Sequence, residues 1–474
     1  MTDDRELVNI IDTQFNISEL KDLCFKLNIE YEDIPGQTKS GKARELYLYC
    51  KRRTQIKQLM DAIHLFRPET DLSEFGGPEP DLSKPDRPIG AEAAGNAGTN
   101  DAPAEPEPPK TVYDNFDITI RPSGTPNAYR IEAKSPSGEA SAAGSQIFPF
   151  EDDEYKYLLN SLQDVQISET DFADDMGEIL RKFLFPAPIQ ELFSTTLNVS
   201  RAKGRDGIRV RLNINQESRE LYQVPWEYCK DDKSFLALND DTPIVRYLPT
   251  NRAISSLNPP SAVKILLAWA TPKDLKEINV QREVKAVKEA LSSFQESGDV
   301  IIDELPDATP QTLRKAVRVN MPHIFHFIGH GKLLEDGEGA IALDDGQGKH
   351  QLLNGTRLLR LFQGDETKLM IFSACQSAAM GDKEEESNSS KGFMGLAPTL
   401  VWGGIPAVVA MQFDLPNKAA QPFMQVLYEF LALNKPLDSA ITEARLGLDV
   451  EFMDNPYWGI PVLFMRSPDG NIWV

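Results

Sequence analysis

The sequence predicts an α/β protein, a mainly parallel sheet flanked by helices, preceded by a small all-α bundle. Three observations carry that prediction. Strand and helix patterns alternate from Val263 onward, a Pro-rich acidic stretch interrupts the chain at 71–110, and residues 1–70 show only helical spacing. The corresponding domains are 1–70, a linker at 71–110, and two parts of one larger unit at 111–255 and 256–474.

In residues 1–70, four apolar stripes recur at three- and four-residue spacing, as in helices that bury one face. They are Leu7, Ile10, Ile11; Leu20, Leu23, Cys24, Leu27; Leu46, Tyr47, Cys50; and Ile56, Leu59, Met60, Ile63. Glu30, Glu32 and Asp33 form an acidic cluster, and Lys51, Arg52 and Arg53 a basic one. Charge alone fits two ordinary solvated faces as well as head-to-tail pairing of opposite faces. Residues 71–110 place Pro78, Pro80, Pro85, Pro88, Pro103, Pro106, Pro108 and Pro109 around an Ala/Gly-rich centre. Such a segment cannot bury enough apolar surface to fold, and reads as a disordered, flexible tether.

Beyond the tether, Phe116–Ile120, Tyr129–Ala133 and Ile208–Ile214 alternate as strands do, and 154–194 is mostly helical. The second part predicts strands at 263–269, 299–303, 323–328, 369–374, 406–411 and 461–465. Helices fall between them at 280–294, 310–319, 355–362, 394–402, 417–433 and 437–449. Helices between successive strands imply parallel pairing, and in such sheets ligands bind beyond the carboxyl ends of the strands.

Composition narrows the function. With 474 residues, 41% of them hydrophobic, the chain can bury a large core. Four cysteines, Cys24, Cys50, Cys229 and Cys375, are too few and too scattered for a secreted disulfide framework. Met1-Thr-Asp-Asp-Arg-Glu6 does not read as a signal peptide, so a cytoplasmic location is expected. Phe393–Phe413 is apolar but broken by Pro398, Gly403, Gly404 and Pro406, so a helix, a turn and a buried strand fit it better than a membrane span. A net charge of −22 argues against nucleic acid as a direct partner.

Chemistry concentrates at two strand ends. His323-Ile-Phe-His-Phe-Ile-Gly-His-Gly331 and Leu369-Met-Ile-Phe-Ser-Ala-Cys-Gln-Ser377 are apolar runs that close on His330 and Cys375. A thiol is partly ionised at neutral pH, and a nearby imidazole raises that fraction and later protonates the leaving amine, so two side chains suffice to cleave a peptide. The amides of Gly331 and Cys375 are candidates for an oxyanion hole. The plainer reading of a cysteine ending a core strand is a small buried hydrophobe. Zinc would need His323, His326, His330 and Cys375 to converge, yet alternation sends His323 to the face opposite His326 and no Cys-x-x-Cys pair is present; no metal or cofactor is expected.

His326-Phe-Ile-Gly-His-Gly331 and Phe372-Ser-Ala-Cys-Gln-Ser-Ala378 resemble the two motifs of the CHAT family, caspase-like peptidases of the group that includes caspases and separases. The resemblance extends, in order, through Pro225-Trp-Glu227, Val263–Trp269, Gly392–Pro398, Gly404–Ala410, Ala444-Arg445 and Tyr457-Trp-Gly-Ile-Pro461, covering about residues 111–474. It implies a caspase-like fold in which 111–255 is a pseudo-caspase part without a dyad, and indeed that part has no histidine and only Cys229. Ile29-Glu-Tyr-Glu-Asp-Ile-Pro-Gly-Gln-Thr-Lys-Ser-Gly-Lys-Ala-Arg-Glu45 is similar to the death-like effector-associated domains of bacteria.

The resemblance implies a cysteine endopeptidase with His330 and Cys375 as its dyad and His326 as a buried, hydrogen-bonded neighbour. Relatives that cut after arginine often carry an acid two positions before the cysteine, where this chain has Ser373; a basic preference would then need Asp344 or Asp345, which equally suit a turn. Gly381–Gly392, with Lys383, Glu384 and Lys391, reads as a mobile rim loop, either gating access and open to self-cleavage or an inert insertion. The implied partners are a protein substrate, sometimes a gasdermin in this family, and an upstream sensor or adaptor with a matching death-like domain, in bacterial defence or cell death. Self-association through 1–70 is a further expectation, with no membrane partner. The alternative from another class is a non-catalytic scaffold that assembles a signalling complex.

Overall fold

The apolar stripes of the first 66 residues become helices α1 (Ile17–Lys26), α2 (Lys39–Arg52) and α3 (Ile56–Phe66). Leu20, Leu23, Cys24, Leu46, Cys50, Leu59 and Ile63 are buried in one core there, shared with Leu7, Ile11 and Phe15. The computed structural model describes residues 7–8, 10–11, 15, 17–27, 29, 39–52, 56–67, 111–163, 171–231, 234–250, 262–276, 278–362, 364, 366–373, 383–433, 435–453 and 455–472. The chain divides into two compact units, Met1–Pro106 and Glu107–Val474. The tether expected at 71–110 lies outside the described residues.

The second unit opens with β1 (Tyr113–Pro122), β2 (Ala128–Ser135), β3 (Gly138–Ser141) and β4 (Gln146–Ile147), then α4 (Asp153–Gln163), α5 (Asp171–Leu184) and α6 (Ala187–Ala202). After β5 (Gly207–Ile214) and β6 (Ile244–Tyr247) come β7 (Val263–Trp269), α7 (Val280–Ala290), α8 (Ser292–Ser297), β8 (Val300–Leu305), α9 (Pro310–Asn320) and β9 (Ile324–Ile328). Three short strands follow, β10 (Gly331–Leu333), β11 (Gly339–Asp344) and β12 (His350–Asn354), then α10 (Gly355–Leu361) and β13 (Leu369–Ser373). The chain ends with α11 (Lys383–Gly403), β14 (Ala407–Met411), α12 (Asn417–Ala432), α13 (Leu437–Glu451) and β15 (Pro461–Met465).

Twelve strands form one sheet in the order β3-β2-β1-β5-β6-β15-β14-β13-β9-β7-β8, with β4 on β2. Pairing is parallel from β14 through β13, β9 and β7 to β8, and parallel again from β1 through β5 and β6 to β15. The junction of β14 with β15 is antiparallel, so the two sets run in opposite directions. β9, β13, β14 and β15 are buried at every position, as strands covered on both faces must be.

β5 departs from the alternation of its sequence, because Arg209 and Arg211 are buried too. Arg209 pairs with Asp438 at 2.5 Å, and Arg211 with Asp117 at 2.5 Å. β10, β11 and β12, too short to show a period, form a separate three-stranded sheet. No described helix is long and apolar enough to cross a membrane.

One buried charge pair joins the two parallel sets. Arg246 on β6 meets Glu227 at 2.6 Å, with both side chains 1% exposed. Arg246 also donates to the carbonyls of Tyr222 and Val224, and the Gln412 amide just past β14 donates to Glu227 and to the Gly459 carbonyl. Removing one partner of such a pair orphans a charge in a dry interior. Arg246→Met is expected to cost about 3–5 kcal/mol in urea unfolding, and the double variant Arg246→Met/Glu227→Met less than that single one.

Candidate active site

β7 leads through α7 to β8 on one side, whereas β9 pairs on its other side. The sheet thus changes its winding direction between β7 and β9, and the loops leaving those two carboxyl ends diverge to open a crevice. His330 lies there, two residues past the end of β9, and is partly buried. The preceding Gly329 donates its amide to the Ser373 carbonyl at 3.1 Å, tying the end of β9 to the end of β13.

The His330 ring is held by the main chain. Its Nε2 lies 2.8 Å from the carbonyl oxygen of Lys276, in the segment between β7 and α7. A carbonyl can only accept, so Nε2 carries the proton and the lone pair of the neutral ring is on Nδ1. The His330 carbonyl accepts from Ala342 at 2.9 Å, and Gly331 pairs with Ile341 in the small sheet, which fixes the backbone on either side of the ring.

β13 ends at Ser373, in register with Ile328 of β9. Cys375, with its thiol and its share of the expected oxyanion hole, lies outside the described residues, as does all of 374–382. The chain returns as α11, and Gly392 lets that helix touch β10: a methyl there would overlap the Lys332 amide, and one on Gly339 would overlap the Gly392 carbonyl.

Ser373 and His326 belong to a buried polar cluster with two members that sequence reasoning missed, Glu283 of α7 and Tyr428 of α12. Ser373 Oγ donates to Glu283 Oε1, and His326 Nε2 lies 3.4 Å from that same oxygen. Tyr428 Oη is 3.0 Å from His326 Nδ1. Burial first, and then the Glu283 charge, push the Tyr428 phenol far above its usual range, so it keeps its proton. The Ser373 hydroxyl donates to Glu283, and its oxygen also lies 3.4 Å from His326 Nε2. The signal was present in the sequence: Glu283 breaks the apolar stripe Val280, Val284, Val287, and a charge on a buried face needs a partner.

Asp344 and Asp345 lie at the β11–β12 turn and spend oxygens on it. Asp344 Oδ1 accepts from the amides of Gly346 and Gly348, and Asp345 Oδ1 from those of Gln347 and Lys349. The backbone donors hold the Asp345 carboxyl below its usual range. The segment expected to be a rim loop is helical from Lys383 on, a correction with a plain cause: Lys and Glu are good helix formers, acids favour a helix start, and Ser390 is anchored to Asp414 at 2.7 Å. Lys391 is partly buried, and the side chains of Lys383 and Glu384 lie outside the described residues.

In the first unit, Lys51 is exposed on α2 with its ammonium 5.7 Å from the Tyr47 ring centre. Arg52 ends that helix with its side chain outside the described residues, as are Glu30, Glu32, Asp33 and Arg53 altogether. His323 is buried, its Nδ1 accepting from the Lys264 amide at 3.0 Å, and burial keeps its pKa below the usual value. Among the described residues, no group of three or more His, Cys, Asp or Glu is placed to hold a metal ion.

Among curated proteins no relative matches the chain. Among solved structures, the separase–securin complex of Saccharomyces cerevisiae is similar at 13% identity and TM-score 0.42, covering 74% of this chain and 30% of the separase-complex chain. This protein thus spans less than a third of that one's length. The Arg specific cysteine proteinase gingipain R matches at 12% identity and TM-score 0.37, over 64% of this chain and 75% of its own. The complex of Porphyromonas gingivalis RgpB pro- and mature domains matches at 13% and 0.36, over 69% and 77%. Residues 7–68 match effector-associated domain 7. The match to the CHAT domain runs from residue 176 to residue 461, over half of the chain and across both strands that lead into the crevice, and so the protein belongs to the CHAT domain family.

Proposed function

We propose that the chain is a cysteine endopeptidase in which Cys375 attacks the scissile carbonyl and His330 carries the proton. The observation behind this reading is the state of His330: with Nε2 taken by the Lys276 carbonyl, Nδ1 is the basic nitrogen at the crevice. The Cys375 thiol proton passes to Nδ1 as the sulfur–carbon bond forms. The Gly331 and Cys375 amides donate to the oxyanion, His330 protonates the leaving amine as the carbon–nitrogen bond breaks, and water releases the acyl group. Membership of the CHAT family supports this chemistry.

The other cysteines argue for Cys375 by elimination among thiols. Cys24, Cys50 and Cys229 are buried, and burial alone lifts the Cys50 thiol to about 11 and is the largest effect raising that of Cys229. Residues 1–70 recruit or cluster the peptidase through an adaptor with a matching domain, in bacterial defence or cell-death signalling in the cytoplasm, with a protein such as a gasdermin as substrate. The match to effector-associated domain 7 supports that part of the reading.

Two measurements test the proposal. Iodoacetamide at neutral pH is expected to label Cys375 in the folded protein and the other three cysteines only after unfolding; equal labelling of all four would contradict it. Cleavage of a diverse peptide library is expected from wild type, to fall about 10²–10⁴-fold in Cys375→Ala and in His330→Ala, and to rise on forced clustering of residues 1–70. Should Cys375→Ala keep every cellular effect while charge reversal at Lys51, Arg52 and Arg53 abolishes it, the scaffold reading replaces this one.

A further inference from the structure

We propose that Asp274 and His350 are positioning residues for His330: they clasp the tip of one hairpin onto the segment whose backbone carbonyl orients the imidazole. The inference rests on the peptidase reading above for what that imidazole does, and on geometry for how it is held.

The Lys276 carbonyl fixes the His330 tautomer only if its own segment is fixed. That segment runs from the end of β7 to the start of α7. Its first part is a turn, closed by the Leu275 amide on the Pro272 carbonyl at 3.2 Å. Further support comes from the turn between β11 and β12, where the Gly348 carbonyl accepts from the Lys273 amide at 2.8 Å. Asp274 then takes two bonds from one residue: Oδ1 accepts from the His350 amide at 2.8 Å, and Oδ2 lies 2.9 Å from His350 Nδ1. A carboxylate only accepts, so that Nδ1 carries the proton. Desolvation raises the Asp274 pKa, but the bonds from the His350 ring and amide outweigh it and bring the carboxyl below its usual range.

The same hairpin holds the other side of His330. Ala342 of β11 donates to the His330 carbonyl at 2.9 Å, and Ile341 pairs with Gly331. At the tip, the Asp344 and Asp345 carboxylates accept from the amides of Gly346, Gln347, Gly348 and Lys349, which stiffens the turn. The bonds close a circuit from His330 through β11 to His350, across to Asp274, along the chain to Lys276, and back to the imidazole. A displacement at the clasp is passed to the ring, and a small misplacement of a reacting group is costly in rate. The two side chains are 33% and 35% exposed, and a pair so open to water adds little to global stability. Positioning and folding are therefore separable by experiment.

The first test measures kcat, KM and Tm of the full chain as wild type, Asp274→Ala, His350→Ala and the double variant, on one peptide that wild type cleaves. In the single variants kcat is expected to fall about 10- to 100-fold, with KM within about twofold and Tm unchanged. The double variant is expected to be no slower than Asp274→Ala, since both residues act through one contact. Wild-type kcat in either single variant, a loss matched by a lowered Tm, or losses that multiply in the double variant overturn the proposal.

Absence of any Cys375-dependent cleavage would remove the peptidase reading, and the clasp is then decided by the ring itself. Nitrogen NMR of ring-labelled histidine, with His330 assigned by His330→Gln, compares Cys375→Ala with Cys375→Ala/Asp274→Ala at a pH where the ring is neutral. The first is expected to show a protonated Nε2 and a bare Nδ1 at His330, and the second to show both nitrogens averaged between tautomers. Identical His330 signals in the two proteins overturn the proposal.

Discussion

The second unit hangs on a buried ion pair at the middle of its sheet. Arg246 and Glu227 meet where two oppositely directed parallel sets join, and Gln412 binds the pair to the Gly459 carbonyl. Three separated segments, Pro225-Trp-Glu227, the end of β14 and Tyr457-Trp-Gly459, are thereby tied together through Glu227 and Gln412. Apolar packing completes the seam: Trp458 lies 5.0 Å from Tyr228 and 4.7 Å from Phe235, centre to centre. Apolar contact is non-directional, whereas a buried charge pair is satisfied in one geometry only, so the pair specifies how the halves register.

The crevice follows from that registration and from winding. Once β14 is fixed against β15, the parallel set grows outward through β13 and β9 to β7, and the change of direction at β7 leaves the gap in which His330 sits. Close backbone contact at Gly392 and Gly339 then presses α11 onto the small sheet that begins at Gly331. The segment after Cys375 and the segment after His330 are thus clamped together downstream of both residues.

Much of this was legible in the sequence, because strands buried on both faces announce themselves as continuous apolar runs bounded by glycine and polar residues. β7, β9, β13, β14 and β15 are of this kind. The small sheet was not, since strands as short as Gly331–Leu333 carry no period. The acid-rich start of α11 looked like a loop because it has no apolar stripe, yet helix propensity and the dipole act without one. Ser373 and His326 stood out beside the motif residues, while Glu283 and Tyr428 come from helices far along the chain and only folding brings them to the same oxygen. The Lys276 contact was beyond any reading of side chains, being a carbonyl.

That last point governs how the protein tolerates change. The group that orients His330 is present in every amino acid, so substitution at position 276 that leaves the backbone path intact leaves the acceptor where it is. The imidazole leans on the backbone of that position, whichever side chain it carries. What the position cannot absorb is a shift of the chain itself, by insertion, deletion or a proline in the span from Pro272 to Asn279. Drift in sequence is buffered there, and drift in loop length is not.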